Sequence, residues 1–141
     1  MARIVTIEDD GAQKAVLNIK PAGIQALARD TALAVGDGTY YLPPIARALD
    51  GFKLSLTEIS VAIASTSGVV SFALYNVTQS KEMLSTNMTI DANETHSKDA
   101  TTPAVINATN ATVNHGDVIR VDCDGAGTGA KGLYWMPEFS S

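Results

Sequence analysis

The fold class of this chain is decided by residues 69–77, which read Val-Val-Ser-Phe-Ala-Leu-Tyr-Asn-Val. Successive side chains of an extended chain point to opposite faces, so every second residue lies on the same face. One face therefore holds Val69, Ser71, Ala73 and Tyr75, and the other holds Val70, Phe72, Leu74 and Asn76. This period of two predicts a β-strand.

Further runs of the same kind lie on both sides of this strand. The alternation is clear over residues 52–63 and 118–122 and weaker over 83–90, and a last strand is expected over 133–139. With about seven or eight short strands, turn residues between them and no strong helix, the pattern predicts an all-β fold, an antiparallel β-sandwich. The polar residues 91–102 are expected to form a crossover loop of the Greek-key or jelly-roll kind.

Residues 59–80 contain no charged residue, which makes them the closest approach to a membrane-spanning segment. They are broken by Ser-Thr-Ser-Gly at 65–68, and polarity alternates on both sides of that break. A hairpin therefore fits them better than a membrane helix.

The first 35 residues are rich in alanine and lack strong periodicity. Short strands are expected over 3–7 and 15–19, with one or two helical turns over 23–30, because Ile24 and Leu27 share a helix face. We expect residues 1–35 to form an N-terminal arm or peripheral segment and residues 36–141 to form the sandwich domain.

Composition excludes several classes of partner and compartment. Ten basic against fifteen acidic residues give a formal net charge of −5, which argues against nucleic acid and against anionic membranes. The single cysteine, Cys123, cannot form an internal disulfide, and the N-terminus does not resemble a signal peptide. Without such a signal the five glycosylation sequons are expected to be chance matches; they begin at Asn76, Asn87, Asn93, Asn107 and Asn110.

Two motifs resemble known ligand-binding sites but lack the sequence context that those sites require. Residues 127–132 match G-x-G-x-x-G, but a dinucleotide site needs that motif to open a helix within a βαβ unit, so we expect a hairpin turn. Asp122 and Asp124 resemble the start of a calcium loop, yet Leu133 stands where an EF-hand needs glutamate. A looser ion site at these aspartates stays open, and the acids at 8–10 are expected to form a solvated turn.

The remaining reactive residues do not form a catalytic set. His96 and His115 have no metal-ligand spacing and are expected to be exposed turn residues. Cys123 lies between two aspartates, whose charge opposes thiolate formation. No catalytic, cofactor-binding or metal site is predicted, and an enzyme is the least favoured class.

Aromatic residues meet in the last predicted strand. Exposed, Trp135 and Tyr134 would form a sugar-stacking or interface patch. In a strand, Leu133 and Trp135 would share one face, and Tyr134 and Met136 the other. We favour core plus subunit interface over carbohydrate binding, because aromatic residues make up only 6% of the chain.

An ordered set of motifs between residues 36 and 139 resembles a family of bacteriophage virion structural proteins. The order runs N-x-T, M-L-S-T, I-D, E-T, T-P-A-V-I, G-D-x-[IL]-R-[IV]-D and K-G-L. It is matched here by Asn76-Val77-Thr78, Met83-Leu84-Ser85-Thr86, Ile90-Asp91, Glu94-Thr95, Thr102-Pro103-Ala104-Val105-Ile106, Gly116-Asp117-Val118-Ile119-Arg120-Val121-Asp122 and Lys131-Gly132-Leu133. The last strand departs from the family pattern, because Tyr134-Trp135-Met136-Pro137 stands where relatives usually have a plain β-branched strand. Pro137 cannot donate a backbone hydrogen bond, so it suggests a sheet edge or a strand end.

The resemblance implies a jelly-roll-like β-sandwich that serves as a building block of a phage particle. Such proteins occur as capsid decoration (cement) proteins, often homotrimers, and in tail, baseplate or fibre assemblies, where a receptor- or carbohydrate-binding module is the alternative. The implied partners are the major capsid protein and further copies of the chain. The implied location is the capsid exterior of the virion, after synthesis in the bacterial host cytoplasm.

Overall fold

The computed structural model describes residues 18–19 and 23–141. Within them the chain forms eleven strands and three short 3-10 turns, the turns at Arg47–Leu49, Ser97–Asp99 and Ala108–Asn110. The strands are β1 (Asn18–Ile19), β2 (Ile24–Ala32), β3 (Gly36–Tyr41), β4 (Lys53–Ser60), β5 (Val70–Asn76), β6 (Lys81–Glu82), β7 (Leu84–Thr86), β8 (Met88–Ile90), β9 (Val105–Ile106), β10 (Ile119–Ala126) and β11 (Lys131–Ser140).

Two antiparallel sheets account for most of these strands. In sheet A, β11 is central, with β4 on one side and β1 and β2 on the other. In sheet B, β10 lies between β3 and β5, and the far side of β5 pairs with β6 and β8. The small β7–β9 pair is separate. The predicted all-β antiparallel sandwich is confirmed, whereas its jelly-roll form stays a prediction.

The core lies between the sheets because each contributes one apolar face. Sheet B supplies Phe72 and Leu74, which are fully buried, and sheet A supplies Ile59, Leu133 and Trp135. The face of β5 that carries Val70, Phe72, Leu74 and Asn76 is the buried one. Burying one such large side chain contributes roughly 1.5–3 kcal/mol, so the alternation that predicts these strands also stabilises them.

The helical turns expected over residues 23–30 are not present, because this segment is strand β2. Its register with β11 pairs Ile24 with Trp135 but Leu27 with Leu133, so one extra residue is inserted between the two pairs. Such a β-bulge puts residues three apart on the same face, as a helix would. Part of the proposed arm is thus a strand of sheet A. The boundary at residues 35 and 36 stays a prediction, and the strand expected over 3–7 lies outside the described residues.

Two connections expected to be hairpins instead cross from one sheet to the other. Residues 61–69 lead from β4 in sheet A to β5 in sheet B, and residues 127–130 lead from β10 in sheet B to β11 in sheet A. The sequence pattern identifies strands and turns correctly here but not the partners of the strands, since alternation carries no information about pairing.

Pro137 lies inside central strand β11, opposite Thr57 of β4, and not at the edge or strand end that its identity suggests. The neighbouring Glu138 carbonyl accepts a hydrogen bond from Ser55 of β4. Because successive residues direct their backbone groups to opposite sides, the Pro137 nitrogen faces the β1 and β2 side. There Ile19 pairs with Phe139 and Ile24 with Trp135, one on each side of the proline.

One lateral side of the sandwich is closed by the chain itself. The backbone N–H groups of Leu54, Ile59 and Val61 along β4 donate to Ala111, to the Ser97 hydroxyl and to Thr95. The polar segment 91–102 therefore covers part of this edge, and its role as a Greek-key or jelly-roll crossover stays a prediction. On the opposite side, within residues 18–19 and 23–141, β2 pairs only with β11 and β3 only with β10.

Candidate interaction surface

The aromatic pair of the last strand divides between core and surface. Trp135 is 2% exposed, and its indole Nε1 donates to the Thr57 hydroxyl at 2.7 Å. Its ring meets Phe139 edge-on, with centroids 6.4 Å apart. Tyr134 lies on the other face of β11 and is half-buried. The predicted facing of the two residues is confirmed, and the burial of Trp135 removes it from any stacking platform.

Asp122 and Arg120 form an ion pair on the outer face of sheet B. Asp122 is almost fully buried, with Oδ1 2.6 Å from Arg120 Nε and Oδ2 2.8 Å from the other guanidinium nitrogen. Oδ1 also accepts the Gly38 N–H at 3.0 Å. A buried carboxylate needs such donors, and a two-point contact with arginine is the strongest of them. Arg120 stacks over the Tyr75 ring, 4.7 Å from its centroid.

The candidate ion site at Asp122 and Asp124 is therefore occupied by donors from the protein. The carboxylate of Asp122 is neutralised by Arg120, and that of Asp124 accepts Asn87 Nδ2 at 2.7 Å. Among the described residues no cluster of three or more His, Cys, Asp or Glu side chains could hold a metal ion. The acids at positions 8–10 lie outside those residues.

A second polar network joins two of the motifs that carry the family resemblance. Asp117 is 3% exposed, and its Oδ2 accepts hydrogen bonds from Asn76 Nδ2, Gln79 Nε2 and the Asn114 N–H. Burial acts to raise the pKa of Asp117, but these three donors together hold it below its ordinary value. Asn76 is itself buried, so this sequon is a structural element of the β5 end and is not exposed as a glycosylation site would be.

The two histidines differ in their surroundings. His115 is exposed at a turn, as expected, and its N–H donates to Asp50 Oδ1. His96 is half-buried beside β4, with Nδ1 accepting the Lys98 N–H and Nε2 3.5 Å from Glu58 Oε2. His96 thus has a structural role in the cover over β4 that its sequence context does not indicate.

Cys123 points into the core, with no exposed surface. Burial raises the pKa of its thiol to about 11. The hydrogen bond with the Gly125 backbone lowers this pKa in part, and the charge of Asp124 raises it further. The predicted opposition to thiolate formation is confirmed, but its main cause is burial and not the neighbouring aspartates.

The G-x-G-x-x-G segment is a rigid corner. Thr128 donates its N–H to the Ser65 hydroxyl and to the Ser67 carbonyl, and its own carbonyl accepts the Thr66 N–H. The two inter-sheet connections are therefore fastened to each other. Gly127 has a φ of +59°, and a side chain there would collide with Ser65.

The most exposed large apolar side chains of the described residues flank strand β3. Val35, immediately before it, is 67% exposed, and Tyr41, at its end, is 58% exposed. Asp37 is exposed between them, and the inner Tyr40 is buried. The exposure of these side chains follows from the position of β3, which among the described strands pairs only with β10, and no local sequence pattern records that position.

Two further findings bear on function. No helix among the described residues is long and apolar enough to span a membrane. Comparison with protein-family models, with curated proteins and with solved structures finds no match.

Proposed function

We propose that this chain is a non-enzymatic structural protein of a bacteriophage virion, and specifically a capsid decoration protein. It binds the outer capsid shell through the major capsid protein and stabilises that shell as a homotrimer. The proposal begins from the ordered motifs that resemble the virion family, and it is supported by the part those motifs play in this fold.

The supporting observation is the Asn76–Asp117 network. Asn76 belongs to the N-x-T motif and Asp117 to the G-D-x-[IL]-R-[IV]-D motif, and their side chains meet at 2.9 Å although the residues are 41 positions apart. The second motif also contains Arg120 and Asp122, which form the ion pair. Motif residues that hold a fold together are what a resemblance in architecture requires, and this supports the proposal.

The surface is also compatible with a scaffold that acts by binding. One lateral side of the sandwich is hydrogen-bonded to its own cover, whereas β2 and β3 border the other side. An open strand edge presents N–H and C=O groups to another chain. Among residues 18–19 and 23–141, β2 pairs only with β11 and β3 only with β10, and a sandwich with such a side suits a module that adds to a larger assembly.

The experiment is the native mass of the purified chain by light scattering, followed by co-sedimentation with undecorated capsids. A trimer that pellets with capsids supports the proposal, and a chain that stays in the supernatant overturns the decoration role. Removal of residues 1–17 is expected to abolish pelleting and to leave the sandwich folded. Removal through residue 35 would also delete β2, so it cannot separate binding from folding.

The alternative is a tail, baseplate or fibre component with a receptor- or carbohydrate-binding role. The burial of Trp135 leaves three half-buried or exposed tyrosines for stacking on that route, Tyr41, Tyr75 and Tyr134. Glycan binding by a chain that does not pellet with capsids would favour this alternative.

A further inference from the structure

An apolar cleft of about 160 Å³, here named the lateral cleft, lies between the two sheets next to the end of strand β3. Its lining on sheet A consists of Ile24 of β2 and of Trp135, Pro137 and Phe139 of β11, and the remainder consists of residues 42–46, Leu49 and Ile119. The one polar side-chain atom among these residues, the Trp135 indole nitrogen, already donates to Thr57. No lining side chain is therefore free to bind a water molecule.

The size and the lining of the lateral cleft indicate what it accepts. A cavity of roughly 150 Å³ lined by Leu, Ile and Phe stays dry and binds a molecule the size of benzene. The lateral cleft is similar in volume and in composition, so one or two aliphatic side chains would fill it. Their burial is favourable because it removes apolar surface from water on both sides of the contact.

The chain that precedes the described residues joins the sandwich beside this cleft. Asn18 pairs with Ser140, and Ile19 pairs with Phe139, which is one of the lining residues. Residues 1–17 span up to about 60 Å when extended, which is enough to turn and to run back along the cleft. A segment tethered at this position has an effective concentration on the order of millimolar at the cleft, which favours it over a second copy in dilute solution.

One part of that segment has the side chains that the cleft requires. Residues 3–7, Arg-Ile-Val-Thr-Ile, alternate in polarity and predict a strand. Val5 and Ile7 share one face of this strand, and Ile4 lies on the other face. The next residues, Glu-Asp-Asp-Gly at 8–11, are typical of a turn, which would direct residues 3–7 back toward β1.

We propose that residues 3–7 return alongside β1 as a strand and insert Val5 and Ile7 into the lateral cleft of their own chain. The two aliphatic side chains match the apolar lining, and the acids at 8–10 stay outside it because burial of an unpaired charge is costly. The contact lies within one chain, so it goes beyond the proposed function and does not depend on it.

Variants that each add one cysteine test which face of residues 3–7 is covered. Val5→Cys and Ile7→Cys place a thiol on the face assigned to the cleft, and Ile4→Cys is the matched control on the opposite face. The native Cys123 has no exposed surface, so its own reaction is slow. With a thiol reagent, Val5→Cys and Ile7→Cys are expected to react at least tenfold more slowly than Ile4→Cys. Equal rates at the three positions overturn the proposal.

A change in the cleft wall tests where the protected residues lie. Ala46 lines the cleft and is exposed at its rim, whereas Ala48 is exposed on the same loop and does not line it. In the Val5→Cys background, Ala46→Glu is expected to raise the reaction rate at least tenfold, because it brings a charge to the apolar cleft. Ala48→Glu is expected to leave the rate unchanged. Equal rates in these two variants overturn the assignment to this cleft.

Two further measurements separate the remaining explanations. The protection of Val5→Cys is expected to stay constant over a dilution series, and protection that is lost on dilution would place Val5 in the cleft of a second copy and overturn the proposal. In urea denaturation, Val5→Asp is expected to lower the midpoint, whereas Ile4→Asp leaves it unchanged. Equal midpoints for the two variants count against the contact in the same way.

Discussion

Trp135 and Thr57 are joined between neighbouring strands on the inner face of sheet A, with the indole Nε1 2.7 Å from the threonine hydroxyl. Thr57 in turn donates to the sulfur of Met88 at 2.9 Å. One hydroxyl therefore links the central strand of sheet A to its neighbour β4 and to β8 of sheet B. A polar group in such a position is stabilising only while each partner remains, since a buried donor without an acceptor costs free energy.

Thr57→Val is expected to lower the free energy of unfolding by about 1–3 kcal/mol, because it keeps the side-chain shape and leaves the indole N–H unpaired. The double variant with Trp135→Phe is expected to lose less than the sum of the single changes, since both partners are then gone. Urea denaturation measures both. The exposed Thr109→Val is the control, expected to stay within about 0.5 kcal/mol of the parent; strictly additive losses would contradict the coupling.

The Asp117 network predicts acid sensitivity with a definite sign. A carboxyl whose pKa is lower in the folded state stabilises the protein above its ordinary pKa, and that stabilisation is lost as the pH falls through the folded value. Stability is therefore expected to fall below about pH 4. Asp117→Asn is expected to cost about 1–3 kcal/mol at pH 7 and to flatten this part of the profile.

The matched control for that change is Asp30→Asn, because Asp30 is exposed on β2. Denaturation midpoints from pH 3 to pH 7 give the profile of each variant. If the loss of stability below about pH 4 persists unchanged in Asp117→Asn, another carboxylate causes it.

The corner where the two inter-sheet connections meet predicts different costs for two similar glycines. Gly129 has a φ of +77° and open space around it, so Gly129→Ala is expected to cost about 1–2 kcal/mol from backbone strain alone. Gly127→Ala adds a collision with Ser65 and is expected to cost a further 1–3 kcal/mol or so. Thermal unfolding compares them, and Ser65→Ala in the Gly127→Ala background is expected to recover part of the difference. Equal losses at both glycines would contradict the collision.

The buried thiol of Cys123 predicts both slow reactivity and an alkaline limb of stability. Because its pKa is raised to about 11, the folded state keeps the thiol protonated where the unfolded chain ionises it. The resulting stabilisation is complete below about pH 8.5 and is lost as the pH rises toward 11. Modification of Cys123 by a thiol reagent at pH 8 is expected to be no faster than the unfolding that exposes the thiol. Rapid labelling of the folded protein would contradict this, and Cys123→Ala should lack this part of the alkaline limb.

Much of the fold can be predicted where alternation is regular. The period-two pattern places β5 almost residue for residue, and it identifies the strands near 52–63, 118–122 and 133–139. It fails at β2, because a bulge between Ile24 and Leu27 converts the spacing of a strand into that of a helix turn. It also fails to tell a hairpin from a crossing between sheets, since pairing depends on distant residues.

The candidate surface was less predictable than the fold, for a related reason. Trp135 could be placed on a face but not given its Thr57 partner, 78 positions earlier in the chain. Likewise, the pairing of Asp122 with Arg120 could be suspected only from a spacing of two on one strand face. Exposure at Val35 and Tyr41 depends on which strand ends the sheet, and no local pattern records that position.

The central place of β11 has a consequence for how the chain is made. Synthesis is vectorial, and residues 131–140 emerge from the ribosome after every strand that they join. Until then β1, β2 and β4 have no shared neighbour in sheet A, although β3, β5, β8 and β10 can already assemble. While residues 131–140 are still being synthesised, the inner face of sheet B, with Phe72 and Leu74, therefore lacks the Trp135 and Phe139 side chains that complete the core of the folded protein.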